Sequence, residues 1–311
     1  MREVVITGGA GFIGSNMAER LLSEGFSVRI VDDLSTGQKV NLDPLLGEGK
    51  ASLVQGSILD RSLLRKVFKG ADCVLHQAAL PSVTRSVKDP LSTNEANVNG
   101  TLNVLLEARD AKVGKVVMAS SSSVYGDTPV LPKREDMTPN PRSPYAISKL
   151  AGEHYCRVFS ELYGLPTVCL RYFNVFGPRQ DPRSDYAAVI PRFITSVMEG
   201  RPPHIHGDGS QTRDFTFVQD VVSANILAMQ SGAEGVFNIA GGHRTSIEEL
   251  ARTIIRMMGA DLEPEKGPQR PGDVMHSLAD ITAARDVLGY RPEHSLERGL
   301  EVTTQWFSSI A

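Results

Sequence analysis

Tyr145 and Lys149 stand four residues apart in Tyr145-Ala-Ile-Ser-Lys149. Residues i and i+4 share a helical face, so a helix here sets the phenol beside the ammonium. A neighbouring cation favours phenolate, and the spacing predicts a tyrosine pKa drawn down from about 10 toward working pH. A tyrosine so tuned takes a proton from an alcohol while a hydride leaves the same carbon. Alone the pair is weak, because Tyr-x-x-x-Lys arises by chance on many helices. It gains weight from a glycine cluster near the N-terminus, Gly8-Gly9-Ala10-Gly11-Phe12-Ile13-Gly14.

Both features need a scaffold, and the hydrophobic pattern supplies one. Val4 to Thr7 is a short apolar run that ends in glycine, which predicts a buried strand. Ser15 to Glu24 carries Met17, Ala18, Leu21 and Leu22 at helical spacing. Further strands are expected at 27–32, 51–55, 73–77, 115–120 and 167–172, with helical stretches between them. Such alternation implies an α/β protein with a doubly wound parallel sheet, covered on both faces through right-handed crossovers. In that setting a glycine at the strand end permits the tight turn. A second admits backbone N–H groups to a pyrophosphate, and a third lets the helix pack on the strand. Glycines 8, 11 and 14 fit this spacing, as do 9, 11 and 14. Asp32 closes the second strand, where a carboxylate accepts ribose hydroxyls and repels a 2′-phosphate. The expected cofactor is therefore NAD rather than NADP.

The bulk properties narrow the field further. A chain of 311 residues suffices for two domains or one large α/β unit. A net charge of −3 offers no basic footprint, so no nucleic-acid partner is expected. No apolar run approaches the roughly 20 residues of a membrane span, and a strand starting at Val4 leaves no room for a signal peptide. Cys73, Cys156 and Cys169 lack metal-ligand spacing, so no metal is expected. An odd, sparse set of cysteines suits a reducing cytoplasm.

An ordered series of short motifs spans nearly the whole chain. The series runs Thr7-Gly8-Gly9-Ala10-Gly11-Phe12-Ile13-Gly14, His76-Gln77-Ala78-Ala79, Asn97-Val98-Asn99-Gly100-Thr101 and Ser120-Ser121-Ser122-Ser123-Val124-Tyr125-Gly126. It continues with Ser143-Pro144-Tyr145-Ala146-Ile147-Ser148-Lys149, Arg171-Tyr172-Phe173-Asn174-Val175-Phe176-Gly177-Pro178, Arg213-Asp214-Phe215 and Arg270-Pro271-Gly272-Asp273. In this series the chain resembles the extended short-chain dehydrogenases/reductases, and among them the nucleotide-sugar 4-epimerases acting on UDP-glucose or UDP-N-acetylglucosamine.

The resemblance implies a role for each matching residue. Tyr145 would be the catalytic base, Lys149 its partner and the holder of the nicotinamide ribose, and Ser121 the catalytic serine. It implies a cofactor site built from Gly8, Gly11, Phe12, Ile13, Gly14, Asp32, Asp33, Ser35, Thr36, Gly37, Ser57 and Ile58. That site continues through Gln77, Ala78, Ala79, Pro81, Asn99, Ser120, Tyr145, Lys149, Tyr172, Asn174 and Val175. His76 reads as a packed strand histidine. For the UDP-sugar the resemblance implies Ser121, Ser122, Tyr145, Asn174, Val189, Ile190, Arg213, Arg270, Asp273 and Ser277. Asn174, Arg213 and Arg270 would hold the diphosphate, Asp273 the nucleotide ribose, and Val189 to Phe193 the uridine floor. The guanidinium fork suits that task, because it meets phosphate oxygens bidentately.

Related chemistries leave different marks. Nucleotide-sugar 4,6-dehydratases carry an Asp-Glu pair just after the catalytic hydroxyl residue, and related decarboxylases carry a glutamate there. Here both positions are serine, Ser122 and Ser123. A 4-keto reductase would keep the same Tyr, Lys and Ser. A non-catalytic NAD-binding scaffold would usually lose the tyrosine or lysine. Ser277 lies four residues after Asp273, where epimerases restricted to plain hexoses place tyrosine. A small residue leaves room for an N-acetyl group. The expected interconversions are UDP-glucose/UDP-galactose, UDP-GlcNAc/UDP-GalNAc, or both.

Residues 1–172 are expected to form the NAD-binding domain, with a returning strand near 236–241. Residues 173–311 are expected to form mainly a smaller, mixed α/β substrate domain, with amphipathic helices at 246–259 and 280–288. Helices near 93–110 and 146–163 carry Leu102, Leu106, Leu150 and Phe159, read as exposed apolar residues. In relatives such helices pair about a two-fold axis, so a homodimer is expected.

Overall fold

The computed structural model describes residues 3–46, 51–182, 188–269 and 275–310. Its first six strands are the apolar runs of the sequence: β1 (Glu3–Thr7), β2 (Ser27–Asp32), β3 (Ala51–Gln55), β4 (Cys73–His76), β5 (Lys115–Ser121) and β6 (Thr167–Tyr172). Between them run α1 (Phe12–Ser23), α2 (Arg61–Val67), α3 (Val83–Lys88), α4 (Pro90–Asn94), α5 (Gly100–Asp110) and α6 (Pro144–Tyr163). The second half adds β7 (Val175–Phe176), α7 (Val189–Met198), β8 (His204–His206), β9 (Thr212–Arg213), β10 (Thr216–Phe217) and α8 (Val218–Gln230). It ends with β11 (Gly235–Ile239), β12 (Thr245–Ser246), α9 (Ile247–Met257), β13 (Glu265–Gly267) and α10 (Leu296–Ile310).

Seven strands form one parallel sheet in the order β11-β6-β5-β4-β1-β2-β3. The winding reverses between β1 and β4, and in open α/β sheets a ligand crevice opens at such a point. Strands this apolar must be covered on both faces. Met17 and Leu21 of α1 with Val221 and Val222 of α8 cover one face. Leu64 of α2, Val104 of α5 and Phe159 of α6 cover the other. β11 pairs with β6, so the chain does return to the sheet as the sequence suggests.

A smaller core gathers Phe193 and Ile194 of α7, Leu250 and Ile254 of α9, and Leu300 and Phe307 of α10. The stretch 280–288 is helical as expected, closing in a π turn at Ala284–Leu288, but Ala284 and Leu288 pack into the large core rather than the small one. The helix expected near 93–110 is interrupted. A π turn at Glu95–Asn99 joins α4 to α5, and Thr101 Oγ1 donates to Asn97 O at 2.6 Å. The extra residue of a π turn swings Asn97 inward. There its amide receives Leu80 N (2.7 Å) and donates to Leu80 O (3.1 Å).

Leu102, Leu106, Leu150 and Phe159 are not the exposed residues of their helices. Leu102 and Leu106 pack against the core under α5, Leu150 packs near Tyr125, and Phe159 is buried. Their helices turn those faces to their own sheet, where burial of apolar area is available. The exposed apolar groups are instead Val87 on α3, Leu91 on α4 and Ile147 on α6, together with Leu162 and Tyr163 at the end of α6. No helix among the described residues is long and apolar enough to cross a membrane.

Candidate active site

The glycine turn works by close approach. Gly8 holds φ +71°, and a Cβ there would meet Ala78 N at 2.6 Å. A Cβ on Gly14 would lie 2.3 Å from Gly8 O, so any side chain would drive α1 off β1. Gly11 caps α1, and the first turn of the helix lines the mouth of a large groove. The groove encloses about 1020 Å³ at the carboxyl ends of the strands. Backbone N–H groups at a helix N-terminus favour an anion, and this cradle is the part of the site that fits a dinucleotide pyrophosphate.

Asp32 anchors the far side. Its Oδ2 accepts Ala10 N (2.9 Å) and its Oδ1 accepts Leu34 N (2.8 Å). Burial raises its pKa, and these two N–H groups pull against that rise. The carboxylate thus holds the glycine turn and the next loop together. Asp33, Ser35, Thr36, Gly37, Ser57 and Ile58 line the same groove, as do Phe12, Ile13, Gln77, Ala78, Ala79, Pro81, Ser120 and Tyr172. Tyr172 is fixed by the amide of Asn225, whose Nδ2 donates to its hydroxyl at 2.8 Å. Asn99 departs from this pattern: it is exposed and does not line the groove. Asn97 takes the inward position, two residues earlier.

Tyr145 and Lys149 also line the groove, on the first two turns of α6. Local sequence fixes where that helix starts. Ser143 caps it by accepting Ala146 N at 3.1 Å, and Pro144 takes the first turn, where its missing N–H is no loss. Lys149 Nζ donates to Ala119 O at 2.9 Å and lies 5.9 Å from the centre of the Tyr145 ring. The electrostatics differ from the sequence expectation. Burial raises the Tyr145 pKa, opposed by a hydrogen bond from Ser121, and burial lowers the Lys149 pKa to about 8. Desolvation outweighs the pairing because the ammonium is directed to a carbonyl rather than to the phenol oxygen.

Ser121 ends β5 and caps a short 3₁₀ turn at Ser122–Tyr125. Its Oγ accepts from Ser123 N (3.2 Å) and Ser123 Oγ (2.9 Å). Its own proton is therefore free to point at Tyr145. Ser122 sits half-buried on the turn. Buried Glu153 accepts a hydrogen bond from Ser120 Oγ and pairs with Arg171 at 2.7 Å, and Arg171 donates to Tyr125 OH at 2.8 Å.

A second cavity of about 270 Å³ opens beside the groove, and Ala188 lines both. Asn174, Val175, Val189, Ile190 and Arg213 line this cavity. Asn174 and Val175 thus face the smaller cavity and not the groove. Asn174 has φ +33° and is steadied by Nδ2 donating to Asp214 O at 2.9 Å. Ser277 joins this edge, since its N–H donates to Thr212 O at 3.1 Å, next to Arg213. Arg270 and Asp273 lie outside the described residues. The cavity also exposes Arg192, His204, His206 and Gln211, none of which forms a motif in the sequence.

Against known proteins, residues 4–240 match the NAD dependent epimerase/dehydratase family. The UDP-glucose 4-epimerase of Mycolicibacterium smegmatis is 43% identical over 307 residues, 97% of each chain. The structure of the UDP-N-acetylglucosamine 4-epimerase from Methanobrevibacter ruminantium, in complex with UDP-N-acetylmuramic acid, superposes with a TM-score of 0.96. It is 41% identical, and the match covers 100% of both chains. The Thermus thermophilus UDP-glucose 4-epimerase complex with NAD gives a TM-score of 0.90 at 35% identity, over 99% of this chain and 100% of that one. The sheet, the cradle and these likenesses together define an extended short-chain dehydrogenase/reductase. The chain belongs to the NAD dependent epimerase/dehydratase family, and its cofactor is NAD.

Proposed function

We propose that this protein is a UDP-sugar 4-epimerase in which Tyr145 is the acid–base group. The observation that carries the reading is the convergence of Tyr145, Lys149 and Ser121 at one end of a dinucleotide groove, with a second cavity carrying Asn174 and Arg213 adjoining it. The relatives named above are UDP-glucose and UDP-N-acetylglucosamine 4-epimerases, and that chemistry needs these parts. Bound NAD supplies a reversible hydride exchange at sugar C4.

The chain's own residues do the rest. Tyr145 removes the proton of the sugar 4-hydroxyl, and Ser121 donates to the oxygen that carries the developing charge. Lys149 spends one of its three N–H donors on Ala119 O and keeps the others for the cofactor ribose and the phenolate field. Asn174 and Arg213, with Arg270, hold the diphosphate while the sugar turns. Tyr145 then returns the proton with C4 inverted. Binding energy from the remote nucleotide thus serves a step in which the sugar itself must be loosely held. In this division of labour, residues 1–172 with β11 serve NAD, and 173–311 serve mainly the sugar nucleotide.

We also propose a homodimer through the face built by α5 and α6 and their neighbours, supported by exposed Val87, Leu91 and Ile147 on adjoining helices. The protein is read as cytoplasmic, which the three buried free cysteines suit. The small Ser277 supports acceptance of N-acetylated sugars beside plain hexoses.

Incubation with UDP-galactose and, separately, UDP-GalNAc, with product sugars resolved chromatographically, tests the reading. A C4 epimer from either substrate, lost in Tyr145→Phe, supports it. Retained NAD binding without epimerisation of either sugar would overturn it.

A further inference from the structure

After β7 the chain lays Pro178 and Arg179 along α1. Asn16 Nδ2 donates to Phe12 O (2.9 Å) and to Pro178 O (3.1 Å). Arg179 NH2 donates to Glu19 Oε2 at 2.7 Å. Phe12, Asn16 and Glu19 are spaced by four and three residues, so the loop covers one face of the helix. The N-terminal end of that face is the anion-facing mouth of the groove, and Arg179 lines the same groove.

The arginine is held for something more than its ion pair. Its NH1 is buried and has no hydrogen-bond partner among the described residues. A buried guanidinium N–H left unpaired is costly, and native structures rarely keep one without a use. Arg179 also adopts φ +70°, a left-handed conformation uncommon for a residue with a side chain and concentrated at ligand sites. The described cations of the groove wall are Arg85, Lys149 and Arg179. Lys149 is directed to Ala119 O, whereas Arg179 is tied to α1 itself. Glu19 is half-exposed, with a side chain 53% accessible, so water screens its charge and the guanidinium keeps a net positive field toward the groove.

We propose that Arg179 is a ligand of the cofactor diphosphate: NH1 donates to a phosphate oxygen while NH2 stays on Glu19. The α1 N-terminus supplies backbone donors to the same anion, and the planar fork, pre-oriented by Glu19, supplies the charge. The inference rests on the reading of the groove as the NAD site.

The test is calorimetric binding of NAD, ADP and adenosine to protein freed of copurified nucleotide, with folding checked by thermal melting. Wild type is compared with Arg179→Met, Arg179→Lys and Glu19→Gln. The expected result is a loss of about ten- to hundredfold for NAD and ADP in Arg179→Met, with adenosine unchanged. Arg179→Lys should recover part of it, because charge survives without the fork. Equal losses for adenosine and ADP would mean a damaged groove and would sink the inference. So would a Glu19→Gln variant that reproduces the whole loss, since the arginine would then only clamp the loop. Wild type that binds no NAD defeats the cofactor reading itself, whereas unaltered NAD binding by Arg179→Met defeats only this inference.

Discussion

Single side chains carry the chemistry, and their environments decide how. Removing the Tyr145 hydroxyl should lower kcat by about a hundred- to ten-thousandfold, the usual share of a positioned acid–base group. NAD binding should survive in Tyr145→Phe, and a fluorescence titration with NAD checks that half of the claim. Because burial lifts the Tyr145 pKa, kcat should rise with pH on the acid limb. Lys149→Met should move that limb to higher pH, as the phenolate loses a neighbouring cation. An unmoved limb would remove Lys149 from the acid–base group. Histidine 76 gives a different pH effect. Its Nδ1 faces Thr7 Oγ1 at 2.7 Å and its Nε2 faces Thr101 Oγ1 at 2.9 Å. Thr101 already donates to Asn97 O, so Nε2 carries the proton and donates to Thr101, and Nδ1 accepts from Thr7. Burial, aided by the Lys149 charge, lowers its pKa from 6.5 to about 3. The unfolded chain therefore binds a proton that the folded chain refuses between those values, and stability falls as pH drops from 6.5 toward 3. Each unit of difference is worth about 1.4 kcal/mol. Urea unfolding at pH 7 and pH 5 should show a shallower pH dependence in His76→Gln than in wild type.

At the scale of elements, α6 is the part that must not move. It carries Tyr145 and Lys149, and four residues beyond Lys149 it carries Glu153, buried against Arg171 of β6. Glu153 also holds Ser120 of β5, next to Ser121, and Arg171 holds Tyr125, whose hydroxyl donates to Asn238 of β11 at 2.7 Å. One ion pair thus ties three strands to the helix that carries Tyr145, at the end of the sheet. Breaking a buried pair on one side leaves an uncompensated charge, a loss of roughly 3–5 kcal/mol. Glu153→Gln should show a loss of that order in urea unfolding, and Arg171→Met a similar one. The double variant should recover part of it, and additive losses would mean that the two charges do not depend on each other. The glycine turn belongs to the same scale. Gly14→Ala should abolish NAD binding, since its Cβ would stand 2.3 Å from Gly8 O.

Across the whole molecule, the proposed dimer makes a prediction of its own. Leu91→Glu with Ile147→Glu should convert a dimer to a monomer in light scattering, while secondary structure stays unchanged. A wild-type monomer at micromolar concentration would remove the proposal. The same surface shows where sequence reading stops. Strand positions, the parallel sheet and the NAD class followed from the residues, because a buried strand must be an apolar run and a glycine turn admits few backbones. The caps of α6 were equally legible, since Ser143 and Pro144 act on their immediate neighbours. The tertiary structure decided the rest. Periodicity placed Leu102, Leu106 and Phe159 on helices but could not say that those stripes face their own sheet and leave Leu91 and Ile147 outside. The resemblance put Asn99 in the groove, whereas a π turn leaves Asn99 exposed and turns Asn97 into the interior against Leu80. Spacing paired Lys149 with Tyr145 in sequence, yet a carbonyl 30 residues away took the ammonium. Arg179 and Glu19, 160 positions apart, carry no signal in spacing at all. Local physics is written in neighbouring residues, whereas desolvation and long-range pairing arise only when distant segments meet.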